Sequence, residues 1–314
     1  MNESTSITRR ELLGASLGLA ASAAFASSPS FTLGADRDDK RIDRDKSLEN
    51  QVGITTSSLA GHLTAKPGQG QFSLEQLPEI LRDELGMRVI DLNTSSLASL
   101  DERYLDRCRN AAEKAGSRFI NLKLNQRNLD MNSADEATRN HALAEYQRSI
   151  NAASMLGCRW ARVLPTAEKP DQARHVSAQR QLADYCAARN MQLLIENYGW
   201  MATDAASVPT LIAAIDRNVA ACPDTGNWAN NEVRAAGLKA TFPLAVTCDF
   251  KARELGPQGE HAAYDLKSCF TIGWQAGFRG PWCLEHANRD RSALFKELAL
   301  LSDMLKTWTQ AAQH

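Results

Sequence analysis

The chain has 314 residues, 43% of them hydrophobic and 23% charged, with a formal net charge of −1. That is ample apolar material for a large core, and the near-neutral charge, with no basic block after the N-terminus, leaves nothing to attract nucleic acid. Seven cysteines, an odd number with no CxxC, fit neither a disulfide framework nor a zinc–thiolate site and read as small apolar fillers.

In chain order, residues 1–26 come first. Arg9-Arg10 precede a mild apolar stretch from Leu12 to Ala26, which closes on the A-x-A-like "Ala24-Phe25-Ala26". The stretch is too short for a membrane span. It resembles a twin-arginine export signal, which implies a periplasmic or other extracytoplasmic location, with no stable membrane span after processing. Residues 27–50 carry the charge run "DRDDKRIDRDKSLE" and are expected to be a flexible linker.

From residue 51 one unit repeats: a short apolar run, a polar turn, and a helix-like stretch. The predicted strands are 51–57, 87–93, 118–124, 158–164, 191–197, 218–224, 243–249 and 280–286. Between them, Ser73 with Gln76, Ser99 with Glu102 and Ser133 with Glu136 match capping boxes. Gly86, Gly116 and Gly157 are placed to stop helices just before the next strand. Strands alternating with helices pair in parallel through right-handed crossovers, and eight such units predict an α/β fold, a (β/α)8 TIM barrel in a single domain over 51–312. No GxGxxG follows an early strand, so a doubly wound nucleotide fold is disfavoured.

Alternate strand residues face opposite sides. On the last four strands one face is bulky, while the other is mostly small and ends in Glu196, Asp224, Asp249 or Glu285. If the smaller face lines the barrel, these four acids gather at the C-terminal mouth, where barrel active sites lie. The same phase brings in Asp91, Asn93, Asn121, Lys123, Asn125, Arg162 and Lys251. Four clustered acids repel one another. Either a divalent cation or Lys123, Arg162 and Lys251 must neutralise them.

"LLIEN" at 193–197, "PDTGN" at 223–227 and "GFRGPWCLEH" at 277–286 carry a resemblance to the xylose isomerase-like TIM-barrel family of sugar-phosphate isomerases and epimerases. The resemblance implies a metal held by Glu196, Asp224, Asp249 and Glu285, with Glu196 and Glu285 also shuttling a proton beside the substrate carbonyl. An oxygen-rich ligand set suits one divalent cation, Mn²⁺ or Mg²⁺ rather than Zn²⁺. Two departures stand out: Asp249 where the family has a histidine ligand, and Asn227 where its D-x-x-H motif has histidine. Lys251 is close enough in sequence to pair with Asp249 instead of a metal.

Lys123, Arg162, Asn227, Lys251, His62, His261 and Trp228 are the expected substrate contacts. Tyr198 and Trp200, beside Trp228, are further rings just past strand ends where a sugar could stack. The expectation is an exported, divalent-metal-dependent sugar isomerase or epimerase acting on a small carbohydrate. A lyase or dehydratase on the same barrel and a catalytically silent sugar-binding barrel are the alternatives. Oligomeric association is left open.

Overall fold

The computed structural model describes residues 45–64, 71–253 and 255–314. The expected signal at 1–26, and the linker as far as residue 44, lie outside the described residues.

Eight parallel strands form the barrel: β1 (Val52–Thr55), β4 (Val89–Asn93), β5 (Arg118–Leu124), β6 (Trp160–Val163), β7 (Gln192–Ile195), β8 (Val219–Ala221), β9 (Cys248–Lys251) and β10 (Trp282–Glu285). The intervening β2 (Leu63–Thr64) and β3 (Phe72–Ser73) make a small separate ribbon. The hydrogen-bonded order runs β8-β7-β6-β5-β4-β1-β10-β9. Parallel bridges between Ala221 and Ala245 and between Asp224 and Asp249 join its two ends and close the ring. The Asp249 N–H donates to the Pro223 carbonyl at 2.9 Å, which sets Asp224 and Asp249 side by side.

Among the described residues, eight helices surround the barrel: α1 (Leu77–Leu85), α2 (Glu102–Lys114), α3 (Glu136–Met155), α4 (Gln172–Ala187), α5 (Ser207–Ile215), α6 (Asn231–Thr241), α7 (Leu266–Gln275) and α8 (Arg291–Gln313). Helical spacing explains their packing: α8 buries Leu294, Leu298, Leu301 and Leu305 on one stripe against the sheet. No described helix is long and apolar enough to cross a membrane. Gly86, Gly116 and Gly157 take φ of 65°, 66° and 79° and stop α1, α2 and α3, as their positions predict. Of the capping boxes, Ser73–Gln76 keeps its reciprocal bond, the Ser73 N–H donating to Gln76 Oε1 at 2.9 Å, while the other two are displaced. The helices start after Gln76, Asp101 and Asp135, and each predicted serine lies two or three residues earlier, in the approach turn. Asp135 itself accepts from the Thr138 N–H, so a nearer aspartate takes the cap from Ser133.

The strand residues divide as alternation requires. The outer face packs under the helices; Trp282 and Phe250 sit in an aromatic cluster with Phe242, Phe270, Phe278 and Trp308. A smaller inner cluster of Val89, Ile120, Trp160, Leu194, Ala220, Val246 and Cys283 fills the lower barrel, with Leu48 plugging its base. Gly53 is needed here, since a Cβ on it would lie 2.7 Å from the Val89 carbonyl oxygen.

Three expectations need correction. The linker does not run to residue 50 as free chain: Lys46–Leu48 form a 3-10 turn, and Leu48 is only 2% exposed. Burial of Leu48, the Asp45 pairs with Arg118 and Arg159, and the Asn50 N–H donating to the Arg279 carbonyl fix that segment. In β5, Asp91 pairs with Asn121 after Ile90 pairs with Phe119, so Ile120 is an extra bulged residue and turns inward beside Asn121. Val246, which strict alternation from Asp249 would put on the outer face, joins the inner cluster because regular β9 begins only at Cys248. All seven cysteines are free and buried, as fillers should be.

Candidate functional site at the C-terminal mouth

Above the apolar plug, the barrel interior becomes a layer of charge. The strand ends bring Glu196, Asp224, Asp249 and Glu285 together, with Asp91 beneath them; none is more than 6% exposed. Oxygens of Glu196, Asp224 and Asp249 lie within 4.8 Å of one another, a spacing that could hold a metal ion. The four acids that alternation singles out are therefore neighbours in space.

Each of them is met by a cation of the chain. Lys123, 1% exposed, donates to Asp249 Oδ1 at 2.6 Å and to Thr55 Oγ1 at 3.1 Å, with Asp91 Oδ2 at 3.3 Å. Arg162 Nε lies 2.7 Å from Glu196 Oε2, and its Nη1 donates to Asn125 Oδ1 at 2.6 Å. Lys251 Nζ donates to Asp224 Oδ2 at 2.8 Å and to Asn227 Oδ1 at 2.7 Å, and stands 3.2 Å from Glu285 Oε1. Arg253, more than half exposed, also pairs with Glu285. Asp249 thus pairs with Lys123 rather than with Lys251, and Lys251 stands among Asp224, Asn227 and Glu285.

The amides complete the frame. Asn227 Nδ2 donates to Glu196 Oε1 at 3.0 Å. Asp224 Oδ1 accepts from the Gly226 and Asn227 N–H groups, and Asn197 clamps the Asp224 backbone with two hydrogen bonds. Asn121 Nδ2 donates to Asp91 Oδ1 at 3.0 Å.

Burial and pairing compete in the titration of these groups. Burial raises the Asp224 carboxyl to about 6 although Lys251 pulls against it. Burial also raises Asp91 and Asp249, only partly opposed by Lys123. Glu285 is different: burial pushes it up, but Lys251, Lys123 and Arg253 together hold it below the ordinary range. For Lys251 and Lys123 burial favours the neutral amine, and the surrounding carboxylates more than reverse that, so both stay charged.

The charge count tests the expected metal. Five carboxylates (Asp91, Glu196, Asp224, Asp249 and Glu285) face four cations (Lys123, Arg162, Lys251 and Arg253), a difference of one negative charge. Burial raises both Asp91 and Asp249, and Asp249 Oδ2 is a buried oxygen without a hydrogen-bond partner. The cations in place, Arg162 at Glu196, Lys251 at Asp224 and Glu285, and Lys123 at Asp249, would have to give way before these carboxylates could take a divalent ion. The oxygen spacing suits a metal, but the donor set does not fit a divalent cation while Arg162, Lys251 and Lys123 each hold one of its carboxylates.

The other expected site residues separate into groups. Lys123 and Arg162 lie under the mouth, at 1% and 3% exposure, bound to acids rather than facing a ligand. His62 is buried, with Nε2 against the Asn288 carbonyl at 2.9 Å, so it ties the chain after β1 to the loop before α8. A cleft of about 460 Å³ opens beside Lys251, and His261, Trp228, Arg234, Arg253 and Tyr264 line it. Trp228 packs edgewise over Gly237 of α6 and forms wall rather than an exposed stacking platform. Of the other two rings, Tyr198 carries Arg127 over its face, and Trp200 packs edge-on to His175. Arg253 and Asn197 were missed. Arg253 continues the alternation of Asp249 and Lys251 by one step, so that signal was present; Asn197 acts through backbone contacts that alternation does not encode.

The closed ring, the acids at its C-terminal mouth and the final Gly-rich entry to β10 agree with one family. A family model described as xylose isomerase-like TIM barrel matches residues 81–308. The chain belongs to this family. Solved structures share its fold. L-ribulose 3-epimerase is 18% identical with a TM-score of 0.67, covering 84% of this chain and 97% of that one. D-psicose 3-epimerase from Clostridium cellulolyticum H10, solved with D-tagatose, is 13% identical with a TM-score of 0.65, covering 82% and 98%. A xylose isomerase-like TIM barrel protein from Mycobacterium smegmatis, in complex with magnesium, is 15% identical with a TM-score of 0.60, covering 83% and 96%. At these identities the likeness is one of fold. No curated protein sequence matches the chain.

Proposed function

We propose that this family member is an exported carbohydrate isomerase or epimerase that moves a proton at the carbon next to a carbonyl. One observation carries the reading. Glu196 and Glu285, on strands separated by β8 and β9, meet at one positively charged point through the chain Glu196–Asn227–Lys251–Glu285. Proton transfer beside a carbonyl needs a positioned base, a positioned acid, and positive charge where the enolate oxygen develops. Glu285, held below the ordinary range, starts as a base; whichever glutamate takes the substrate proton becomes the acid that returns it, and the charge between them supplies the third. Asn227 holds Glu196 in line, and Asn197 holds the Asp224 backbone that supports Lys251. The cleft walled by His261, Trp228 and Tyr264 gives a small polyol its approach.

The structural neighbours support the substrate class, because several are named as epimerases of ketoses. The Mn²⁺ or Mg²⁺ implied by the family resemblance plays no part in these steps. Export rests on the Arg9-Arg10 leader, and N-terminal sequencing of secreted protein should begin at Ser27.

The test is deuterium uptake from heavy water into D-psicose, D-fructose, D-tagatose and L-ribulose, followed by NMR. The wild type should exchange the hydrogen beside the carbonyl of at least one, and Glu196→Gln or Glu285→Gln should slow this by about 100-fold or more. Unchanged exchange in both variants would remove the assigned roles. A second reading, a sugar-binding barrel without turnover, is favoured by the ion pairing of every mouth carboxylate; calorimetric sugar binding with no exchange would decide for it.

A further inference from the structure

We propose that Lys251 is the resident cation of this site: its ammonium group takes the place of a divalent metal among Asp224, Asn227 and Glu285, and the protein works metal-free. The inference concerns the same mouth but rests on its geometry, not on turnover. Three oxygens surround the ammonium, at 2.8 Å from Asp224, 2.7 Å from Asn227 and 3.2 Å from Glu285, matching its three N–H donors.

The lysine is built into position. A Cβ at Gly226 would lie 2.4 Å from Lys251 Cδ and 2.8 Å from Tyr264 Oη, so only glycine leaves room for the stem. Tyr264 Oη donates to the Lys251 carbonyl at 2.6 Å, and the Lys251 N–H donates to Thr225 Oγ1 at 2.9 Å, fixing the backbone on both sides. The remaining carboxylates are taken up elsewhere, Asp249 by Lys123 and Glu196 by Arg162. Asp249 and Asn227 occupy the two positions where the family pattern has histidine. An ammonium also differs from a metal in chemistry. It stabilises a developing oxyanion by a charged hydrogen bond and binds no activated water.

The test is Mn²⁺ binding by the EDTA-treated full chain, followed by electron paramagnetic resonance and calorimetry. Wild type should take up no stoichiometric Mn²⁺, and its melting temperature should not respond to Mn²⁺ or EDTA. Lys251→Met leaves Asp224 and Glu285 without their cation and should bind Mn²⁺ at least ~10-fold more tightly, a gain abolished by adding Asp224→Asn. One tightly bound Mn²⁺ in wild type, lost in Asp224→Asn, would overturn the proposal even if Lys251→Met does not fold. A folded Lys251→Met with no gain would overturn it too. The readout is separate from catalysis. A metal-free protein that exchanges no deuterium sustains this inference while the isomerase reading fails. A protein that exchanges only when Mn²⁺-loaded does the reverse.

Discussion

Glu196, read in the sequence as a carboxylate ending an apolar strand, is held by Arg162 on one oxygen and Asn227 on the other. The costs at this scale lie in unpairing such groups. Lys123 is the clearest case, fully enclosed between Asp91 and Asp249. Lys123→Met should cost roughly 3–5 kcal/mol in denaturant unfolding, because it leaves buried carboxylates without a partner. A loss under about 1 kcal/mol would mean that those carboxyls are already neutral. Asp224 sets a pH dependence of definite sign. Its folded value of about 6 lies above the ordinary 3.8, so between these values the folded chain keeps a proton that the unfolded chain has released. Its contribution therefore favours folding at low pH and is lost as pH rises through about 6. Melting temperatures across that range should fall more steeply for wild type than for Asp224→Asn; superimposable profiles would contradict the raised value.

At the scale of elements, the strands were legible because alternation on β7 to β10 is nearly unbroken, and a period of two fixes which side chains share a face. It failed where the backbone departs from that period. The bulge at Ile120 inserts one residue into β5, and the irregular approach to β9 lets Val246 turn inward. Neither leaves a compositional mark, since both residues are apolar whichever way they face. The capping serines misled for a related reason: Asp101 and Asp135 lie closer to the helix starts than Ser99 and Ser133. The floor of the barrel was hidden because Leu48 is one apolar residue in a charged run. Leu48→Ala should cost about 2–4 kcal/mol by opening a cavity against Trp160 and Ile120. A substitution without effect would show that the 3-10 turn does not seal the base.

At the scale of the molecule, eight parallel units carry four acids to one mouth, and this much follows from strand spacing and phase. What spacing could not say is how the acids are neutralised, because the answer depends on side-chain length and on the room that Gly226 leaves. A barrel that carries its own positive charge needs no ion to hold its mouth together, and any catalysis there falls to the two glutamates around Lys251. Deuterium exchange by EDTA-treated protein, across the ketose panel and with and without Mn²⁺, tests this most directly. The expected result is exchange that survives EDTA, gains nothing from Mn²⁺ and is lost in Glu285→Gln. Exchange that appears only when Mn²⁺ is restored, or that persists undiminished in Glu285→Gln, would contradict it.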